Sequence, residues 1–524
     1  MVMEEGVDHR GDELPPLTKR SSNVNLERIL KLHKPDFSAA PLTTTGLWPI
    51  IRTMMRYGHD HVMSRTWYHN HGEDPNNGPG VLAVAWHTAG LIDPLLIVLK
   101  INKPYVFAGR QDILTGPLIG WWGRRMGVQP LLRQAERLRG FVDDETATRV
   151  NSASMLTVAS KLAHGQASIL LPEGHSHSKW YIHRLRTGPV RSALNAASLA
   201  RELGNDVPVI LPVGLTFRDP HAWFSDASVE FGEPIQLPEF PDKNHGAKLL
   251  SGEWVEPDKE TTITVRNEMR DRLGSLTPDA PDIDTWRAWL LLGHIGAKLD
   301  GKRLTTWQQE VLHGRAIRDQ MRGSSNKVWQ GPEACGEVDL ASTSELTERA
   351  RKTAKTLHGM RLDARASHPA STKLNWKNIV LSFSLMPLIA VALPFTIVGN
   401  GIQALVGVMI AKFNSEAVDK RTTFHMMPMM LGTVLIRPLI HFSTAVVIVC
   451  MGYSLDISAY VMVPFLIIIL WLITDLSAFM CRYFLRISCG IKRNFRTYSA
   501  SRSSDWNSLR VEFDELSEML GALK

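Results

Sequence analysis

Cysteine is scarce in this 524-residue chain, which carries only Cys335, Cys450, Cys481 and Cys489. The last three lie in or beside apolar segments, and no C-x-x-C pair occurs. A disulfide framework and a cysteine-built metal site are therefore excluded as the basis of the fold. The N-terminal MVMEEGVDHRGDELPP has no apolar core of the kind a signal peptide needs. Internal repeats and low-complexity tracts are absent, which argues against a solenoid or a disordered array. The composition is ordinary for a globular protein overall, but hydrophobicity is concentrated in Ile379–Met480. The chain is too long for one compact core, so two to four structural units are expected. A formal charge of +7 suits either nucleic acid or an anionic membrane surface. Arg482, Arg486, Lys492, Arg493 and Arg496 directly follow the last apolar segment. That placement favours a lipid bilayer as the partner and gives no support for nucleic acid.

Read in order, the chain divides into five parts. Residues 1–80 are a polar segment followed by an amphipathic stretch, Leu47–Val62, which either lies in a membrane interface or packs on the next unit. Residues 81–240 alternate short apolar runs with helical patterns. Strands are expected at Val81–Trp86, Tyr105–Ala108, Ala167–Leu171, Val209–Val213 and Ala227–Phe231, with helices at Thr146–Ala163 and Pro189–Leu203. This predicts an α/β fold, a sheet flanked by helices. Residues 241–375 lack strand signals and carry Trp286, Trp289 and Trp307 among charges, an accessory helical region ending in a basic linker, Arg349–Lys377.

Residues 376–481 form an α-helical membrane domain. Ile379–Val398 is twenty uncharged residues, long enough to span. Pro387, Pro394 and Gly399-Asn400-Gly401, with the short run Ile402–Ala411 after them, suggest a kinked or re-entrant hairpin. Met426–Met451 is interrupted by Arg437-Pro438, and Ala459–Met480 contains Asp475. Arg437 and Asp475 read as snorkelling or mutually paired charges, or as an intramembrane site. Basic residues flank these segments at 373–377, 412–421 and 482–496 but not in the loop Gly452–Ser458. By charge asymmetry that loop is external and the α/β domain faces the cytoplasm. Residues 482–524 are a basic juxtamembrane segment and an amphipathic tail, Ser504–Leu523, whose acidic outer face suits docking on protein.

Chemistry gathers in 81–240. His87 follows the first apolar run, and Asp93 lies beyond it. A neutral imidazole can take a proton from an alcohol while a carboxylate fixes its tautomer and steadies the imidazolium. Leu171-Pro172-Glu173-Gly174-His175 closes a strand in a turn, where the Glu173 carboxylate could accept hydrogen bonds from substrate hydroxyls. A basic run through Arg186 follows, then a helix N-terminus. Arg110 and Arg133 are able to grip phosphate through two N–H groups. Val209–Phe217 reads as an apolar strand ending at Pro212 and Gly214.

In this order the four segments resemble the sequence blocks of the glycerol-phosphate acyltransferase superfamily. Those blocks are His-x4-Asp, Gly-x-x-[Phe/Leu]-[Ile/Leu]-x-Arg, Phe-Pro-Glu-Gly-Thr and an apolar block around proline. Here they stand as His87…Asp93, Gly127…Arg133, Leu171–His175 and Ile210–Gly214. The resemblance implies a mixed sheet of the glycerol-phosphate acyltransferase type, with His87 as base and Asp93 as its partner. It also implies that Arg133, Glu173 and Gly174 bind a glycerol-phosphate acceptor, with Arg110 and Arg186 near its phosphate. Five residues rather than four separate His87 from Asp93. That spacing resembles the fungal-type glycerol-3-phosphate/dihydroxyacetone-phosphate enzymes, and it requires a local bulge. His175 replaces the usual threonine.

The implied reaction is O-acyl transfer in phospholipid synthesis from acyl-CoA or acyl-ACP to glycerol-3-phosphate, or alternatively to lysophosphatidate. It requires no metal, no other cofactor and no covalent enzyme intermediate. Two other readings stay open at this level. In one, His175 and His177 with His183 or His87 hold Zn²⁺ in a membrane-tethered hydrolase. In the other, the α/β unit is a non-catalytic scaffold that binds lipid headgroups.

Overall fold

The computed structural model describes residues 17, 23–31, 34–43, 46–111, 114, 118–239, 244–322, 345–413, 421–452 and 457–523. Cys335 and most of the loop 452–458 lie outside these residues. Seven strands build one sheet: β1 Met63–Asn70, β2 Val81–Ala85, β3 Tyr105–Arg110, β4 Gln129–Leu131, β5 Ala167–Leu170, β6 Val209–Phe217 and β7 Ser225–Phe231. They lie in the order β1-β7-β6-β2-β5-β3-β4. Every neighbouring pair is parallel except β6–β7. The central strands β2, β5 and β6 are buried along their whole length, which is why they read as unbroken apolar runs rather than alternating ones.

The expected mixed α/β fold is present, and two strands were not foreseen. β1 (MSRTWYHN) is polar because it is an edge strand, and β4 is a three-residue edge strand containing proline. β6 runs through Pro212 rather than ending there. The Pro212 carbonyl accepts the Gly232 N–H at 2.9 Å. The ring nitrogen, on the same side of the strand, therefore faces chain beyond the end of β7, and no bond to β2 is lost.

Helix α1, Trp48–Val62, packs on the sheet through Ile51, Met55 and Val62. Of the two readings of this amphipathic stretch, packing on the α/β unit is the one observed. Helices α2 (Ile92–Lys100), α3 (Asp144–Ala163) and α4 (Gly188–Leu203) cover the sheet. Asp143 caps α3 through the Thr146 N–H, and Gly204 closes α4 in the left-handed conformation.

The accessory region contains α5 (Lys259–Leu276), α6 (Ile283–Leu299), α7 (Trp307–Arg322) and α8 (Glu345–Gly359). Trp286, Trp289 and Trp307 form its core. The stretch expected to be a basic linker begins inside α8, whose Leu346, Ala350 and Leu357 join that core, and continues through two short 3-10 helices, Ala364–Ser367 and Pro369–Thr372. Its charges masked a helical apolar stripe. The region is fastened to the sheet by the Arg218–Glu310 ion pair and by Trp307, whose indole N–H donates to the Thr216 carbonyl at 2.8 Å.

Four helices follow: α9 (Trp376–Phe413), α10 (Arg421–Leu435), α11 (Arg437–Gly452) and α12 (Ile457–Ala500). Trp376–Phe413 and Val461–Ala500 are each long and apolar enough to cross a membrane, and α10 and α11 form a pair bent by 46°. Large apolar side chains along them, including Phe383, Leu388, Phe465 and Leu472, are exposed on the protein surface, as a lipid environment requires. The chain is an integral membrane protein.

The re-entrant hairpin expected at 379–411 is not formed, because α9 is continuous through Pro387, Pro394 and Gly399. A Cβ on Gly399 would lie 2.3 Å from Thr474 Cγ2. The glycine thus serves close packing of α9 on α12 rather than a turn. Arg437-Pro438 does mark a break, the bend between α10 and α11. The tail helix α13 (Ser504–Ala522) buries Trp506, Leu509, Phe513, Leu516 and Leu520 in the accessory core.

Candidate active site

Strand β2 delivers His87 past its carboxyl end, where open α/β sheets hold ligands. His87 Nδ1 lies 2.8 Å from Asp93 Oδ2, and the same oxygen accepts the Thr88 and Ala89 backbone N–H groups at 2.9 Å each. Asp93 is fully buried in the first turn of α2. Between His87 and Asp93, Gly90 has a φ of +60°, which lets the loop turn back so that the two side chains meet. With Asp93 accepting the Nδ1 proton, the lone pair of a neutral His87 resides on Nε2.

Glu173 is completely internal. Its Oε2 accepts the His87 N–H at 2.7 Å, while Oε1 accepts the His183 N–H at 2.7 Å and faces His177 Nε2 at 2.8 Å. Burial raises its pKa, but the charge and hydrogen bond of His177 and the His183 N–H outweigh that and hold it below the usual carboxylate value. The carboxylate therefore braces the His87 loop against the turn after β5. Its oxygens face protein donors.

Gly174 has φ +80°, and a Cβ there would sit 2.9 Å from Arg186 Nε. Arg186 donates to Gln134 Oε1 at 2.7 Å. Beside Gln134, Arg133 is held by Glu136, its Nε at 2.8 Å and Nη2 at 2.6 Å from Oε1. Arg133 is thus charge-compensated, whereas Arg186 has no carboxylate in ion-pair contact among the described residues. Arg110 ends β3 opposite Leu131 of β4, two residues before Arg133. The structure bonds His87, Asp93 and Glu173 directly, sets Arg186 against Gly174, and bonds Arg186 to Gln134, the chain neighbour of Arg133. The fourth block is strand interior: Ile210–Gly214 is core, and its neighbour Leu215 accepts the Trp86 indole N–H at 2.6 Å.

Three residues at this edge escaped sequence reasoning in these roles. His177 donates its backbone N–H to the His87 carbonyl at 3.0 Å, and its ring nitrogens face Glu173 and the Lys179 N–H. Neither nitrogen is left for a metal, and among the described residues no three His, Cys, Asp or Glu side chains converge on a metal position. This removes the ligand set of the zinc reading. Burial, then the charge of His177, lowers the pKa of His183 to about 4. The third is Thr423 at the start of α10, whose Oγ1 accepts the Leu91 N–H at 2.9 Å. It fastens the loop between His87 and Asp93 to the membrane helices. Trp223 stacks on His425 of the same helix, 5.5 Å between centroids.

Residues 68–216 match the family model described as Acyltransferase. An uncharacterized acyltransferase of Schizosaccharomyces pombe is 30% identical over 128 residues, 24% of this chain and 17% of that protein. Glycerol-3-phosphate O-acyltransferase 1 of Saccharomyces cerevisiae is 37% identical over 82 residues, 16% of this chain and 10% of that protein. The matched stretch thus covers less than a fifth of either relative. The crystal structure of the 1-acyl-sn-glycerophosphate (LPA) acyltransferase PlsC from Thermotoga maritima aligns with 39% of this chain and 76% of its own, at 15% identity and a TM-score of 0.25. On the family match and the two curated relatives, residues 68–216 belong to the acyltransferase superfamily related to the glycerol-phosphate acyltransferases.

Proposed function

We propose that this chain is a membrane-bound O-acyltransferase that moves a fatty acyl group from a thioester, acyl-CoA or acyl-ACP, to the hydroxyl of a glycerophosphate-type acceptor. The observation that carries the reading is the His87–Asp93 pair at the carboxyl end of β2, inside the segment that matches the family. His87 Nε2 takes the acceptor hydroxyl proton, and Asp93 steadies the resulting imidazolium. The alkoxide attacks the thioester carbonyl, and the thiolate leaves and takes up a proton. Arg186, with Arg110 and Arg133, contacts the acceptor phosphate. Glu173 and Gly174 hold the turn that presents Arg186 and the His87 loop.

Lysophosphatidate is the acceptor favoured by the Leu91–Thr423 bond, because a loop fastened to a membrane helix suits an acceptor that arrives from the bilayer. Glycerol-3-phosphate is the second reading, supported by the name of the Saccharomyces cerevisiae relative. The basic residues 482–496 support a cytoplasmic catalytic face.

The test is acyl transfer by purified membranes from labelled acyl-CoA or acyl-ACP, with each acceptor offered separately beside a His87→Ala control. Lysophosphatidate-dependent product that disappears in the control supports the first reading. Product from glycerol-3-phosphate alone moves the enzyme to the second. No transfer to either acceptor by folded wild-type protein leaves the scaffold reading.

A further inference from the structure

Where the far edge of the sheet meets α12, three arginines gather with little to neutralise them. Arg482 and Arg486 are four residues apart, on one face of α12 just past the apolar stretch that ends at Met480. Arg482 reaches Asp60 near the end of α1, and Arg65 on β1 stands in register with Asp226 on β7. Arg482 Nη1 donates to the Asp60 carbonyl at 2.6 Å and lies 3.5 Å from its carboxylate. The Nε atoms of Arg482 and Arg486 are both buried without a hydrogen-bond partner. Among the described residues, neither the Arg65 nor the Arg486 side chain makes a hydrogen bond or a close ion pair. Arg486 nevertheless feels the charges of Arg65, Arg482, Asp60 and Asp226. Asp226 lies 3.4 Å from Arg218, and Asp60 also bonds His59 at 2.9 Å.

Three guanidinium groups therefore share two carboxylates that have other partners. Buried N–H donors without acceptors are costly, and so are like charges held close together. One anion with several acceptor oxygens answers both, and guanidinium geometry suits phosphate. The first turns beyond an apolar span lie at headgroup depth, where the surface carries anionic lipid. β1 is also the edge strand farthest from β3 and β4 in the sheet, so this cluster is separate from Arg110 and Arg133.

We propose that Arg65, Arg482 and Arg486 form a cradle for the phosphate of an anionic lipid headgroup, which binds where the catalytic sheet meets α12. Such a lipid ties the sheet to the membrane domain whether or not the proposed reaction is correct.

The experiment uses the full chain in phosphatidylcholine nanodiscs with and without phosphatidate, and the detergent-solubilised chain with and without inorganic phosphate. Thermal unfolding is followed in wild type, R65Q, R486Q and K492Q. Arg65 is exposed and its side chain makes no hydrogen bond or ion pair among the described residues, so R65Q leaves the fold intact even if R486Q does not. Phosphatidate is expected to raise the wild-type midpoint, with apparent affinity about tenfold or more weaker in R65Q and R486Q. K492Q, which removes a charge elsewhere on α12, should keep the response. An Arg65-dependent rise with inorganic phosphate alone supports the cradle with a soluble anion as its source. No rise with either anion, or an equal rise in wild type and R65Q, overturns the proposal.

Discussion

Glu173 Oε2 accepts the backbone N–H of His87 at 2.7 Å, so the position of the histidine depends on a side chain eighty-six residues away. Replacing Glu173 with Gln keeps the size but turns an acceptor-only group into one with an NH₂ that must face a donor. At least one of the His87, His177 and His183 donors loses its acceptor. The expected cost is about 1–3 kcal/mol of stability. On the proposed mechanism kcat falls by a larger factor than KM for the acceptor rises, because the His87 N–H bonds Glu173 directly whereas Arg186 keeps its own bond to Gln134. Steady-state kinetics on folded E173Q decide this. An unchanged kcat would remove Glu173 from the positioning of His87.

Gly174→Ala should act twice. A φ of +80° is strained for alanine, and the new Cβ would sit 2.9 Å from Arg186 Nε. The expected destabilisation is about 1–3 kcal/mol, with KM for the acceptor raised because Arg186 is pushed from its place. Gly188→Ala is the internal comparison: nothing lies within 4 Å of its Cβ position, and its φ is not left-handed. Its acceptor KM should stay at the wild-type value. If G174A and G188A share one KM, Arg186 has no part in acceptor binding.

Acid sensitivity should trace in part to His183. Its pKa is lowered from 6.5 to about 4 in the folded protein, mainly by burial. Between these values the unfolded chain binds a proton there and the folded chain does not. The stability His183 contributes is thus complete above about pH 6.5 and is lost as pH falls toward 4. Glu173, held below its ordinary value of 4.5, loses its contribution only at lower pH. Wild-type unfolding midpoints should therefore decline more steeply from pH 6.5 to 4.5 than those of H183N. Parallel profiles would place the acid sensitivity elsewhere.

How far the sequence reaches is clear from particular residues. His87, Asp93 and Glu173 were legible because each follows a buried strand whose apolar run is unmistakable, and parallel strands bring their carboxyl ends to one edge. β1 was not legible, since an edge strand with one solvated flank can carry Ser, Arg, His and Asn and lose its periodic signal. Glu173 was identified, but its partners were not. A carboxylate that could meet a substrate hydroxyl and one that braces backbone N–H groups look alike until His177 and His183 are folded against it. Gly399 read as a turn because glycine signals a turn locally. Its reason is instead the approach of Thr474, seventy-five residues on, which no local pattern contains.

The buried guanidinium of Arg437 offers a test of how the membrane helices hold the catalytic unit. It donates to the Tyr57 hydroxyl on α1 at 2.5 Å and to the Trp471 carbonyl at 3.0 Å, and it pairs with Asp475 at 2.8 Å. Removing one member of such a pair strands the other charge in a poor solvent for it, whereas removing both does not. R437M alone should cost roughly 3 kcal/mol, and D475L alone should also destabilise. The double variant R437M/D475L should be more stable than R437M, losing chiefly the bonds to Tyr57, Trp471 and His441. Y57F removes the hydroxyl without stranding a charge and should cost only about 1 kcal/mol. Unfolding of all four variants in one detergent measures the coupling. If the two single effects simply add in the double variant, Arg437 and Asp475 do not depend on each other, and the grip on α1 rests on Tyr57 and the apolar packing around it.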